Sequence, residues 1–240
     1  MMEPQFFQIG HIPAALWGRP SARGIVSVHG AQSGKTDVPF RLLAEAFPQC
    51  QILSFDLPEH GDRKDGPALC TPQTCVRELN EVLDYAESRW REISLFAVSM
   101  GAYFSLLACR DRRLDHAWFL SPVVDMERLT RDMMGWFSIS EDRLRAEGAI
   151  PTPMGQTLRW EDYCYVRQNP IDRWPFPTDI LRGAGDTLIA AETVTGFAER
   201  FSCRLRTVEG AEHWFHTPRD LEALRGWLRE TGGALGEAGV

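Results

Sequence analysis

The chain has 240 residues, 44% of them apolar and 25% charged, with 33 acids against 26 bases for a net charge of −7. That length suits one substantial core, and the composition is that of an ordinary globular protein rather than a disordered or fibrous one. An acidic balance repels phosphate backbones, so no nucleic-acid partner is expected.

The N-terminus, MMEPQFFQIG, carries an acid early and no basic stretch leading into an apolar run, so no secretory leader is expected. Phe6–Trp17 reads as a hairpin, and Gly24–Gly30 as a buried strand ending in a turn. Phe40, Leu43, Ala44 and Phe47 recur at helical spacing, and Gln51–Asp56 is the next strand. A loop rich in Gly, Asp and Pro follows, from Leu57 to Leu69. Thr71-Pro72 supplies a helix N-cap and an N1 proline, and the helix it opens places Val76, Leu79, Leu83, Ala86 and Trp90 on one face. Ile93–Val98 is a central strand, and Gly101–Cys109 a nearly uncharged helix suited to packing on a sheet. The longest uncharged run, Ile93–Cys109, falls short of the roughly 20 residues of a membrane helix, so no membrane span is expected.

After the strand His116–Leu120 the alternation of strand and helix breaks. Residues 123–174 hold short amphipathic pieces, among them Met126–Phe137 and Trp160–Gln168, and read as a helical cap inserted into the core. The core resumes with strand Thr178–Arg182, helix Glu192–Phe201, strand Arg204–Val208 and a helix opened by Thr217-Pro218. Alternating strands and helices predict an α/β protein: a mostly parallel central sheet with helices on both faces. Its core spans 1–122 and 175–232, and 233–240 forms a flexible tail. The six cysteines (Cys50, Cys70, Cys75, Cys109, Cys164, Cys203) show no CxxC pair and no framework spacing. They read as reduced, buried thiols of a cytoplasmic protein.

The strongest chemical signal is Phe96-Ala-Val-Ser-Met-Gly-Ala102, where a strand must turn abruptly into a helix. A serine at such a turn sits in a strained backbone and projects its hydroxyl above the sheet edge. Ala97 and Gly101, two residues to either side of Ser99, leave room for strand and helix to pass closely. Late in the chain, Gly210-Ala-Glu-His213 lies between the last strand and the last helix, and Gly183-Ala-Gly-Asp186 follows the preceding strand. A serine hydroxyl needs a base to take its proton, and the imidazole needs a carboxylate to fix its tautomer and stabilise its charge.

These segments resemble the α/β-hydrolase fold superfamily: the elbow matches G-x-S-x-G with Ala in the first place, and the order Ser…Asp…His is that of the family. The resemblance implies Ser99 as nucleophile, Asp186 as orienting acid and His213 as base. It also implies an oxyanion hole from the backbone N–H groups of Ala31, after His29-Gly30, and of Met100, after the nucleophile. Asp56-Leu-Pro-Glu-His-Gly61 is similar to the family's D-x-P-G-H-G stretch, departing at Glu59. The resemblance spans about residues 24–230 and leaves the cap undetermined.

Other signals rank lower. Gly30-Ala-Gln-Ser-Gly-Lys-Thr36 has one residue too few between its glycines for a phosphate-binding loop, so Lys35 reads as solvent-facing in an oxyanion loop. His213 and His216 lack the His-Glu-x-x-His pattern of a zinc site, and His216 reads as a surface or neighbouring residue. Asp125 is an alternative acid, ranked below Asp186. The cap aromatics Trp136, Phe137, Trp160, Tyr163, Tyr165 and Trp174 are candidates for lining an apolar acyl or aryl pocket, with Met133 and Met134 making it adaptable; most are expected to pack the cap on the core. The expected activity is serine-ester hydrolysis of a small or medium substrate through an acyl-enzyme, with no cofactor and no metal. The alternatives are a thioesterase or other acyl hydrolase with the same triad, and a non-catalytic binding protein on the same fold. Oligomeric state is not legible.

Overall fold

A computed structural model describes residues 3–232; the tail expected at 233–240 lies outside the described residues. An eight-stranded sheet runs through the molecule. β1 (Gln5–Ile9) and β2 (Ile12–Trp17) form the N-terminal hairpin at one edge. β2 pairs antiparallel with β4 (Gln51–Phe55), which pairs parallel with β3 (Arg23–Val28). From β3 the sheet continues in parallel through β5 (Glu92–Val98), β6 (Ala117–Leu120), β9 (Thr178–Gly183) and β10 (Arg204–Val208). Parallel strands need crossover helices, which cover both faces, so the central strands are buried and near-continuously apolar. β4 reads QILSF and is buried throughout.

α1 (Val38–Ala46) and α8 (Pro218–Gly232) pack together over one face, on a core built from Ile25, Ile52, Phe96, Trp118 and Leu181. α2 (Pro72–Arg89) and α3 (Met100–Ala108) cover the other, above Val26, Leu53, Leu95 and Phe119. Thr71 caps α2 by accepting from the Thr74 N–H, with Pro72 at N1. The buried face of α2 is turned slightly from the one periodicity indicates. Leu79, Leu83, Ala86 and Trp90 are buried as expected, but Val76 is only half-buried, and Cys75 and Val82 complete the face. The rotation lets Glu78 face inward, where Arg63 bridges it.

Between β6 and β9 lie α4 (Met126–Trp136), α5 (Glu141–Glu147), a small antiparallel hairpin of β7 (Ala149–Pro151) and β8 (Thr157–Arg159), and α6 (Trp160–Gln168). α6 packs against α4 and α2, which sets these pieces over the ends of β5 and β6. α7 (Ala191–Arg200) joins β9 to β10. Among the described residues no helix is long and apolar enough to cross a membrane.

Candidate active site

Ser99 stands between β5 and α3 with φ 51° and ψ −120°, a conformation that L-residues rarely adopt. The surrounding backbone holds it there: its N–H donates to the Leu120 carbonyl at 3.0 Å, and its own carbonyl accepts from Ala102 and Val123. The close crossing explains Gly101, because a Cβ there would lie 2.5 Å from the His29 carbonyl oxygen and 2.7 Å from that of Val28.

The Ser99 Oγ lies 2.8 Å from His213 Nε2, and His213 Nδ1 lies 2.8 Å from Asp186 Oδ2. The structure thus brings all three expected residues into one hydrogen-bonded chain, although 114 residues separate the serine from the histidine in sequence. Nδ1–H donates to the carboxylate, which leaves Nε2 as the acceptor facing the serine. Asp186 Oδ1 accepts from the Leu188 and Ile189 N–H groups, both at 2.9 Å, so the turn after β9 aims Oδ2 at the imidazole. Burial pushes the Asp186 carboxyl up, but the His213 hydrogen bond and charge and these two N–H groups outweigh it and hold it below the ordinary range.

Asp125 and His216 are excluded from this chain by position. Asp125 is exposed and caps α4, accepting from the Arg128 N–H at 2.8 Å. His216 is exposed, while His213 is buried.

Gly30 passes against the nucleophile: a Cβ on it would sit 3.0 Å from Ser99 Cβ. This close approach brings Ala31 to the cavity that Ser99 opens into, with Met100 beside it. The Met100 N–H is a free donor because it begins α3. The Ala31 N–H donates to no other described residue.

The loop carrying Ala31 is braced from below. His29 is buried, and burial drives its pKa down to about 4, so it is neutral at pH 7. Its Nε2 accepts from the Leu57 N–H, which leaves Nδ1–H to donate to the Gly30 carbonyl at 2.7 Å. Lys35 is not solvent-facing. It is 6% exposed, with Nζ 2.5 Å from Asp56 and 2.7 Å from Asp62, and its N–H donates to Asp56. Burial alone would lower the Lys35 pKa, but the hydrogen bonds from Nζ to these two carboxylates raise it. A lysine in a Gly/Thr turn reads as exposed until its acids, 21 and 27 residues on, fold against it. At Glu59 the family's usual glycine is absent, yet φ is still 62°, and the Glu59 carboxylate accepts from the Cys70 N–H at 2.7 Å. The turn is kept in shape by that hydrogen bond.

The Ser99 cavity, of about 160 Å³, is roofed by Leu129, Met133, Leu158, Tyr163 and Val166. Of the six candidate aromatics only Tyr163 lines it; Trp174 instead packs on Phe119 and Phe176. Met134 is buried but not in the lining. Trp214, which sequence reasoning missed, lines the cavity from the turn after β10. Among the described residues no cluster of His, Cys, Asp and Glu is placed to hold a metal ion, and all six cysteines are free thiols, three of them only partly buried.

Residues 25–227 match the model of the alpha/beta hydrolase family. The chain belongs to that family. No curated protein matches the sequence. Among solved structures, Est1E from Butyrivibrio proteoclasticus with ferulic acid bound is similar at TM-score 0.79 and 18% identity, over 95% of this chain and 97% of that one. Alpha/beta hydrolase domain-containing protein 10 from mouse follows at TM-score 0.76 and 14% identity, over 97% and 99%. An esterase of Pyrococcus furiosus is similar at TM-score 0.65 and 17% identity, over 98% and 90%. At these identities the likeness is one of fold: the chain is an α/β hydrolase with esterases among its structural neighbours.

Proposed function

We propose that this α/β hydrolase is a serine carboxylic-ester hydrolase working through an acyl-enzyme on Ser99. The observation that carries the reading is the continuous relay Asp186–His213–Ser99, with 2.8 Å at each step, opening onto an apolar cavity. As His213 Nε2 takes the Ser99 proton, Oγ attacks the ester carbonyl carbon. The negative charge that develops on the carbonyl oxygen is met by the N–H groups of Ala31 and Met100, two preorganised donors worth several kcal/mol. Asp186 stabilises the imidazolium. The tetrahedral intermediate collapses as His213 returns the proton to the departing alcohol. A water activated by the same histidine then releases the acid and frees Ser99.

The apolar roof supports an apolar or aryl acyl group of small or medium size. Ferulic acid in the similar Est1E is an aryl acid, which favours including cinnamate esters among the substrates tested. A binding protein would have no use for the relay, and a thioesterase would share it.

A fluorophosphonate probe should label Ser99 and no other serine. Ser99→Ala should abolish labelling and lower kcat by about 10³-fold or more on the best of a panel of butyrate, hexanoate and cinnamate esters. Labelling that survives the substitution refutes the nucleophile. Acyl-CoA substrates run beside the panel decide between ester and thioester.

A further inference from the structure

Large apolar side chains stay on a surface at a cost in free energy, and when they cluster they mark a binding surface. Trp136 and Trp214 are 47% and 50% exposed, and the fold brings both to one cavity of about 400 Å³. They come from distant parts of the chain, Trp136 from the end of α4 and Trp214 from the residue after the base. His213 lines the same cavity, with Thr187 and Glu212 at its polar rim. The Trp214 indole stands edge-on to the His213 ring, 4.9 Å between centroids at 82°.

This second cavity adjoins the one holding Ser99, because Met154, Leu188 and Trp214 line both. An ester bound for attack therefore has two directions to fill. With its carbonyl oxygen toward Ala31 and Met100, its acyl group takes the apolar cavity under Met133 and Leu158. Its alcohol oxygen must face His213, which supplies the proton on leaving, so the alcohol extends into the cavity of the two tryptophans.

We propose that Trp136 and Trp214 form the leaving-group subsite, and that the alcohol of the natural substrate carries a ring with a flat apolar face. The inference rests on the ester-hydrolase reading above. A linear alcohol covers little of two indoles, whereas the face of a ring covers one or both. Rings of two origins present such a face: an aryl ring, and a sugar ring through its C–H groups. A sugar would also offer hydroxyls to the Glu212 carboxylate and the Thr187 hydroxyl. In the acylation step the Ser99 Oγ–carbon bond forms and the carbon–alkoxy oxygen bond breaks. The serine proton passes through His213 to the alkoxide, and the ring-bearing alcohol leaves between the tryptophans.

The test compares ethyl, benzyl and glucose-6-yl esters of one acid. The wild-type chain should favour at least one ring ester over the ethyl ester by about tenfold in kcat/KM, the upper end of what an aromatic contact contributes. Trp136→Ala and Trp214→Ala should each reduce that ratio several-fold, and the Phe variants should restore most of it. A benzyl preference assigns the subsite to aryl alcohols and a glucose preference to sugars. A wild-type ratio near one, or a ratio that neither Ala variant moves, overturns the subsite. Fluorophosphonate labelling of Ser99 in the same proteins separates the two readings: if labelling persists while the ratio fails, only the subsite falls. If the wild type neither labels nor turns over, both fall.

Discussion

The sheet that carries the Ser99–His213–Asp186 chain and the insertion that roofs it are held together by different means. β9, whose end presents Asp186, is buried at every residue, and β5 is buried from Ile93 to Ala97. In the insertion, α4 buries only Met133 and Met134, α5 only Leu144, and α6 only Tyr163 and Val166. Outside these helices Ile139, Ile150, Leu158 and Trp174 are also buried, and ion pairs such as Arg131–Glu127, Arg143–Glu147 and Arg167–Glu141 join pieces of the insertion to themselves and to one another. Exposed pairs of this kind contribute well under 1 kcal/mol each. The Asp186–His213–Ser99 chain therefore stands on strand ends fixed by a packed core, while the cavity is closed from above by short helices that each bury one or two side chains. On the proposed reading, chemistry is placed on the densely buried part and selectivity on the more sparsely anchored one.

Substitutions that exchange roles between the two regions should have the largest effects. Asp186→Asn keeps the size of the side chain but removes the charge that holds His213 in its donor tautomer. It should lower kcat/KM by about 10³-fold or more, with little loss of fold. Asp125→Asn, in the insertion, should retain activity, since asparagine caps a helix about as well as aspartate. Ester hydrolysis by both variants checks this, and the reverse result would move the acid to the turn after β6.

Next come the glycines. Gly101→Ala forces a Cβ against two backbone carbonyls that cannot move aside, and should cost about 3 kcal/mol. Gly135→Ala in α4 meets nothing within 4 Å. There the substitution removes only the entropic cost of a helical glycine and should stabilise by up to about 1 kcal/mol. Denaturant midpoints measure both. Equal shifts in the same direction would mean that the insertion is packed as tightly as the core.

The sequence showed the sheet far better than the insertion. Ser99, Asp186 and His213 sit at strand-to-turn junctions that local apolar runs and glycines announce, so their meeting follows from the topology alone. Thr71-Pro72 and Thr217-Pro218 marked helix starts for equally local reasons. The hairpin of β7 and β8 was not legible, because strands of three residues carry no readable alternation. Lys35 was misread because its partners are distant in sequence. The orienting N–H groups of Leu188 and Ile189 leave no mark on residue type at all. Trp214 was missed because an aromatic beside His213 looks the same in sequence whether it packs inward or faces a cavity.

The smallest expected effect tests how apolar the roof must be. Asp162, in the first turn of α6, lines the Ser99 cavity and makes no hydrogen bond or ion pair among the described residues. Burial raises its carboxyl to about 6; Arg159 opposes that rise, and Glu161 and Glu59 add to it. The sign follows directly: below pH 6 the group is neutral and the cavity wall uncharged, and above pH 6 an unpaired carboxylate faces the acyl group. Burying apolar substrate against that charge is unfavourable, so KM for a neutral ester should rise about threefold between pH 5 and 7. Asp162→Asn should hold KM flat across the same range. The effect should appear in KM and leave kcat unchanged between wild type and Asp162→Asn at each pH. Because the unfolded carboxyl ionises from about pH 4 and the folded one only near 6, the folded-state penalty grows across that range and is complete above it, so the stability advantage of Asp162→Asn over wild type should widen from pH 4 to pH 7. A wild-type KM that is level from pH 5 to 7 would mean that the acyl group never approaches α6, and the cavity would then be filled from the α2 side, past Cys70 and Pro72.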